Sequence, residues 1–134
     1  MTSLFPDLCT EDVSACRDFY AKLFDMKVVF ENDWYAQLQH PEDPRIQIAF
    51  VRRDHESVPD GDRGTAAGVI VTFETEDAAA LHARAGTLGL PIVQPLRDEA
   101  WGQRHFMTRD PAGLLVDVAE LIPPSAEFAG NYVN

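Results

Sequence analysis

Basic residues are scarce in this chain: 11 Lys and Arg stand against 22 Asp and Glu, a formal net charge of −11 over 134 residues. A surface of that sign repels polyanions, which argues against nucleic acid and anionic membrane as partners. Long hydrophobic runs are also missing. No stretch approaches the roughly 18 apolar residues that span a bilayer, and MTSLFPDLC has neither the basic start nor the apolar core of a signal peptide. A soluble, cytoplasmic protein is therefore expected. Cysteine is limited to Cys9 and Cys16, with no CxxC or other ligand spacing, so reduced thiols are expected rather than a disulfide or a thiolate metal site. Phosphate-cradling glycine loops, serine nucleophile elbows and low-complexity tracts are absent as well.

What is present is an ordinary globular balance, 46% hydrophobic and 25% charged, in a length that suits one domain without staples. The chain also repeats itself. DVSACRDFYAKLFDMKV (12–28) and DAAALHARAGTLGLPIV (77–93) each read as an acidic cap, an amphipathic helix, a helix stop and a β-branched run. Asp12 and Asp77 are 65 residues apart and Asp25 and Gly89 are 64 apart, so one module of about half the chain is used twice.

Within the first copy, LFPDLCT (4–10) alternates like a half-buried strand, and Asp12 caps a helix over 13–24. Val13, Cys16, Phe19, Tyr20, Leu23 and Phe24 make its apolar face, and Asp25 takes the left-handed stop. Strands follow at 27–33, 34–39 and 45–51, then an exposed linker at 52–66. The second copy repeats the order: strand 69–75, helix 77–88 closed by Gly89, and strands 91–97, 102–109 and 114–121. Asp110-Pro111-Ala112-Gly113 suits a type I turn between the last two. The tail at 122–134, with Phe128 and Tyr132 as its large apolar groups, either wraps back or crosses to a second subunit.

The expected fold is α+β, a single domain over 1–134 made of βαβββ modules at 3–53 and 67–121. One helix covers only one face of a four-stranded sheet, which leaves the other face to pack or to line a cavity. TEDVSACRDFYAKLF, TEDAAALHARAGTLGLPIV and above all WGQRHFMTRDPAGLLVDVAE (101–120) resemble the vicinal oxygen chelate superfamily. That group includes glyoxalase I, extradiol dioxygenases, and fosfomycin- and bleomycin-resistance proteins. The resemblance implies a curved, open mixed sheet around a cleft, and a homodimer.

Metal-using members of that superfamily carry ligands on the first and last strand of each module. Counting back from the helix caps, the equivalent positions here are Phe5, Gln47, Ile70 and Asp117. Phe5 and Ile70 have no donor atom, so the usual metal centre is not expected, nor any other cofactor. Period-two alternation sends Leu8 and Thr10 toward the helix and Asp7 and Cys9 away from it, with Glu74 on the face of Ile70. Asp7, Glu74 and Asp117 would then form an acidic floor, relieved by a cationic ligand or by arginines. Trp34, Tyr35 and Trp101 stand at strand starts, where aromatic faces stack on planar or cationic groups. His105 lies inside a strand. Facing the cleft beside an acid, it would serve as a general base; otherwise no catalytic residue is assigned. The expected function is sequestration of a small cationic or aromatic compound without a metal, as in the bleomycin-resistance branch. The alternative is a lyase, isomerase or dioxygenase-type enzyme using a displaced metal site or His105 with an acid.

Overall fold

The computed structural model describes residues 1–133 and is α+β, in the order β1 (Asp7–Thr10), α1 (Val13–Phe24), β2 (Lys27–Glu31), β3 (Tyr35–Gln39), β4 (Gln47–Arg52), β5 (Ile70–Glu74), α2 (Ala78–Thr87), β6 (Ile92–Glu99), β7 (Gln103–Arg109), β8 (Leu115–Leu121) and α3 (Ala126–Ala129). This is βαβββ twice. A single 3-10 turn at Asp60–Asp62 interrupts the linker. No helix among the described residues is long and apolar enough to cross a membrane.

The chain divides into two compact units, one comprising Met1–Val69 with Asp110–Leu114, the other Ile70–Arg109 with the residues from Leu115 onward. In the first unit, α1 starts because Asp12 accepts a hydrogen bond from the Ala15 amide at 2.9 Å, and it stops because Asp25 turns left-handed, at φ 55° and ψ 25°. Its strands lie in the order β1-β4-β3-β2, with β1 parallel to β4 and the other pairs antiparallel. Leu8, Thr10, Ala36, Leu38, Ile48 and Phe50 are all buried, and the Tyr20 ring on α1 packs 5.3 Å from Phe50. Fully buried side chains such as Leu23 contribute about 1.5–3 kcal/mol each. Both cysteines are free thiols, and burial pushes that of Cys16 up to about 11.

The turn from β7 to β8 belongs to this first unit. Its backbone closes as expected, Gly113 donating to the Asp110 carbonyl at 2.9 Å. Asp110, however, is buried: Oδ2 accepts from the Tyr20 hydroxyl at 2.6 Å and Oδ1 from the Leu114 amide at 2.9 Å. Burial, followed by the charge of Asp110, pushes the Tyr20 phenol well above its ordinary range.

The second unit repeats the plan, with Asp77 accepting from the Ala80 amide at 3.0 Å to cap α2 and Gly89 at φ 70° ending it. Its sheet order is β5-β8-β7-β6. Phe106, Thr108, Val116 and Val118 are buried, and His82 on α2 meets Phe106 edge-on, so these four alternate onto the helix side. His105 and Asp117 fall on the other face.

The tail wraps back within its own unit. Ser125 donates to the Ala100 carbonyl at 2.8 Å, Ile122 to Gly102 at 3.0 Å, and the Tyr132 hydroxyl to the Trp101 carbonyl. Phe128 meets the Trp101 ring edge-on at 6.4 Å.

Candidate functional site

Strand pairing decides which side chains meet on the helix-free face of the second unit. Directly paired residues share a face, and the register sets Arg97 opposite His105, Glu99 opposite Gln103, Met107 opposite Asp117 and Thr72 opposite Asp117. His105, with only 3% of its side chain exposed, is held between two carboxylates: Nδ1 lies 2.8 Å from Asp117 Oδ1 and Nε2 lies 3.2 Å from Glu99 Oε2. The Gln94 carboxamide lies 3.2 Å from the same Nε2. Arg97 in turn donates to both Glu99 oxygens, at 3.1 and 3.2 Å. Desolvation works to raise the Glu99 pKa, but the hydrogen bonds from His105 and Arg97 outweigh it and hold the carboxyl below the ordinary glutamate range. The result is a hydrogen-bonded chain, Asp117, His105, Glu99, Arg97, running from the interior to an Arg97 side chain that is 58% exposed.

Trp101 walls this cluster. Its ring meets His105 edge-on at 6.3 Å, Nε1 donates to Gln103 at 2.9 Å, and 41% of the residue stays exposed. The tail fixes it there through Gly102. At φ 107° a side chain on Gly102 would be strained, and a Cβ would lie 2.8 Å from the Tyr132 hydroxyl and 2.9 Å from the Ile122 carbonyl. Gly102→Ala is therefore expected to lift the tail, with a stability loss of about 1–3 kcal/mol. Tryptophan fluorescence should shift toward the solvent-exposed spectrum, and an unchanged spectrum with unchanged stability would contradict this packing.

The helix-free face of the first unit is a run of amides. Tyr35 donates to Gln37 Oε1 at 2.9 Å, Gln37 Nε2 donates to Gln47 Oε1 at 2.5 Å, and Gln39 Nε2 donates to the same Gln47 oxygen at 3.3 Å. Desolvation raises the Asp7 carboxyl; desolvation followed by the Asp7 charge raises the Tyr35 phenol. A shallow cavity of about 360 Å³ opens beside β1, lined by Asp7, Cys9, Asp62 and Thr65 among others. Burial and the neighbouring Asp7 raise the Cys9 thiol, so Cys9 is a poor nucleophile.

Of the residues singled out in the sequence, Trp101, His105 and Asp117 come together, as do Tyr35 and Gln47. Asp7 acts on Tyr35 through its charge, and the Trp34 ring lies 5.9 Å from that of Tyr35; Phe5, Ile70 and Glu74 are not brought into either group. Phe5 precedes β1 instead of lying within it, and Trp34 stacks flat on His55, centroids 3.6 Å apart and planes 3° apart. Ile70 and Glu74 remain exposed on the helix-free face of β5. Glu99, Arg97, Gln94, Gln37 and Gln39 were not among the candidates: Glu99 lay beyond the expected end of strand 91–97, and no facing was assigned to the other four. Alternation alone would have placed Gln37 and Gln39 beside Tyr35.

Residues 4–118 match the family model described as Glyoxalase/Bleomycin resistance protein/Dioxygenase superfamily. The chain belongs to that superfamily. A comparison with curated proteins finds no match. Among solved structures, this superfamily member is similar to TioX from Micromonospora sp. ML1, with TM-score 0.73 and 20% identity over 91% of this chain and 100% of that one. It is similar to lactoylglutathione lyase from Agrobacterium tumefaciens, with TM-score 0.71 and 22% identity over 87% and 91% of the two chains. It is also similar to a glyoxalase/bleomycin resistance protein/dioxygenase family enzyme from Burkholderia phytofirmans PsJN, with TM-score 0.73 and 13% identity over 88% and 97%. At these identities the likeness is one of fold.

A metal of the kind some superfamily members use does not fit the residues here. Phe5 and Ile70 offer no lone pair, and Asp117 is spent on His105. Among the described residues, no three His, Cys, Asp or Glu side chains group so as to hold an ion.

Proposed function

We propose that this superfamily member binds and sequesters a small cationic or aromatic compound without a metal. The supporting observation is the Asp117–His105–Glu99 cluster on a helix-free sheet face beside a part-exposed Trp101. Each imidazole nitrogen of His105 already lies within hydrogen-bond distance of a carboxylate, Nδ1 of Asp117 and Nε2 of Glu99. What the face offers is carboxylate oxygens held in a partly desolvated setting, and an aromatic surface worth about 0.5–2 kcal/mol toward a cation placed over it. An arriving cation competes with Arg97 for Glu99, and its ring system stacks on Trp101.

Titration calorimetry against a panel of cationic aromatic drugs, glycopeptide-type compounds included, tests this. Saturable heat with at least one compound is expected, and uniform silence across the panel would remove the idea. A second reading, catalysis through His105 and an acid, is favoured by the 2.8 Å contact with Asp117. Mass spectrometry of the ligand released after incubation separates the two: recovery unchanged supports sequestration, and conversion supports catalysis.

A further inference from the structure

We infer that the amide array on the first unit is itself a ligand-contact surface, and that it recognises an amide-type edge, a hydrogen-bond donor and acceptor side by side on an aromatic or heteroaromatic ring. This rests on the small-molecule reading above and adds to it the chemical class that this face takes.

The array is pre-set by its own hydrogen bonds. Gln47 lies at the centre, its oxygen receiving the amides of both Gln37 and Gln39, and Tyr35 closes one end. Among the described residues, this leaves the Gln47 NH2 and the Gln39 carbonyl oxygen without a side-chain partner, on directly paired strand positions about 4.5–5.5 Å apart at Cβ. The conclusion is independent of how the amides are oriented. If all three carboxamides are reversed, Gln47 offers its oxygen and Gln39 its NH2, and the pair is again one donor beside one acceptor. A primary or secondary amide, lactam or similar ring edge is the complement, making two hydrogen bonds at once.

Two features separate this from an ordinary wet strand face. The three glutamines are half-buried and already tied to one another, so little side-chain freedom is left to lose when a ligand replaces water. An apolar wall also stands next to them: Phe30 pairs with Gln37 across the bulge in β2, its ring meets Tyr35 at 5.8 Å, and it remains 56% exposed. An exposed phenyl ring bordering an organised donor–acceptor pair fits a flat ring that carries an amide.

Benzamide is the probe, with N,N-dimethylbenzamide as its control, because the two share a ring, a carbonyl and zero charge and differ in the N–H donor. In amide-resolved NMR titrations of the whole chain, benzamide should shift the side-chain NH2 signals of Gln37, Gln39 and Gln47. N,N-dimethylbenzamide should bind about tenfold more weakly, the worth of one well-placed hydrogen bond. Gln39→Met and Gln47→Met, checked for a native spectrum first, should each weaken benzamide by a similar factor, whereas N,N-dimethylbenzamide, which keeps only the carbonyl, should be weakened by the one substitution that removes the array's NH2 donor and not by the other. Equal binding of the two probes, or no response to either substitution in a folded variant, overturns the assignment. If a cationic aromatic drug still binds in the calorimetric panel while benzamide does not, the amide assignment falls and the sequestration reading stands.

Discussion

Asp110→Ala should unfold at markedly lower urea, with the unfolding free energy reduced by about 3 kcal/mol, since two buried donors lose a charged acceptor at once. Those donors are the Tyr20 hydroxyl at 2.6 Å and the Leu114 amide at 2.9 Å, both in the first unit. Against a typical domain stability of about 5–15 kcal/mol, the variant would be near the limit of folding. Tyr20→Phe should be milder, because Asp110 keeps its bond to Leu114, and the double variant should lose less than the two single effects combined. The pH dependence follows from the same contact. The Tyr20 pKa is raised in the folded state, so its contribution is complete below the unfolded value of about 10 and declines as pH rises beyond it. Tyr20→Phe should flatten that alkaline decline. A change below about 0.5 kcal/mol in Asp110→Ala would show that the pair carries no weight.

His105→Leu is expected to have the other large effect. Removing the ring leaves the part-buried Asp117 and Glu99 carboxylates without their shared imidazole partner, which should cost about 3 kcal/mol. Acid titration gives a signature that simple loss of packing would not. In the parent protein the Glu99 pKa is depressed, so its support is present above the unfolded value of about 4.3 and fades as pH falls through the lower folded value. In the variant one of the three hydrogen bonds responsible is gone while desolvation and the two Arg97 bonds remain, so the folded Glu99 pKa moves up toward the unfolded value and less stability is lost on acidification than in the parent. Urea melts at several pH values between 3 and 7 measure this. Parallel acid profiles for parent and variant would mean that His105 and Glu99 are not coupled.

How far the sequence reached can be judged residue by residue. The α1 boundaries, the left-handed Asp25 and the order of elements along the chain were legible because caps, stops and 3.6-residue periodicity are local signals, complete within a few residues. Period-two alternation, which holds where strands are regular, assigned a face to Asp7, Glu74 and Asp117 and left that of His105 open. It fails where they are not. In β6 the register slips between Ile92 and Gln94 and again between Gln94 and Arg97, around Pro95, which has no N–H to give the ladder. Beyond such a slip, alternation no longer reports which side chains face His105, and so Arg97 and Glu99 went unrecognised. Asp110 was hidden for another reason. Its turn was readable from Pro111 and Gly113, but its partner Tyr20 lies 90 positions earlier, and no local pattern carries a contact across that distance.

The membership of Asp110–Leu114 in the first unit bears on how the protein is made. A nascent chain that has emerged through Val69 holds every strand of that unit and its helix, yet Asp110, which accepts from the buried Tyr20 phenol, leaves the ribosome about forty residues later. Completion of the N-terminal half therefore waits on translation of the C-terminal half, and a gene cut at the linker would yield a fragment missing the piece that closes it.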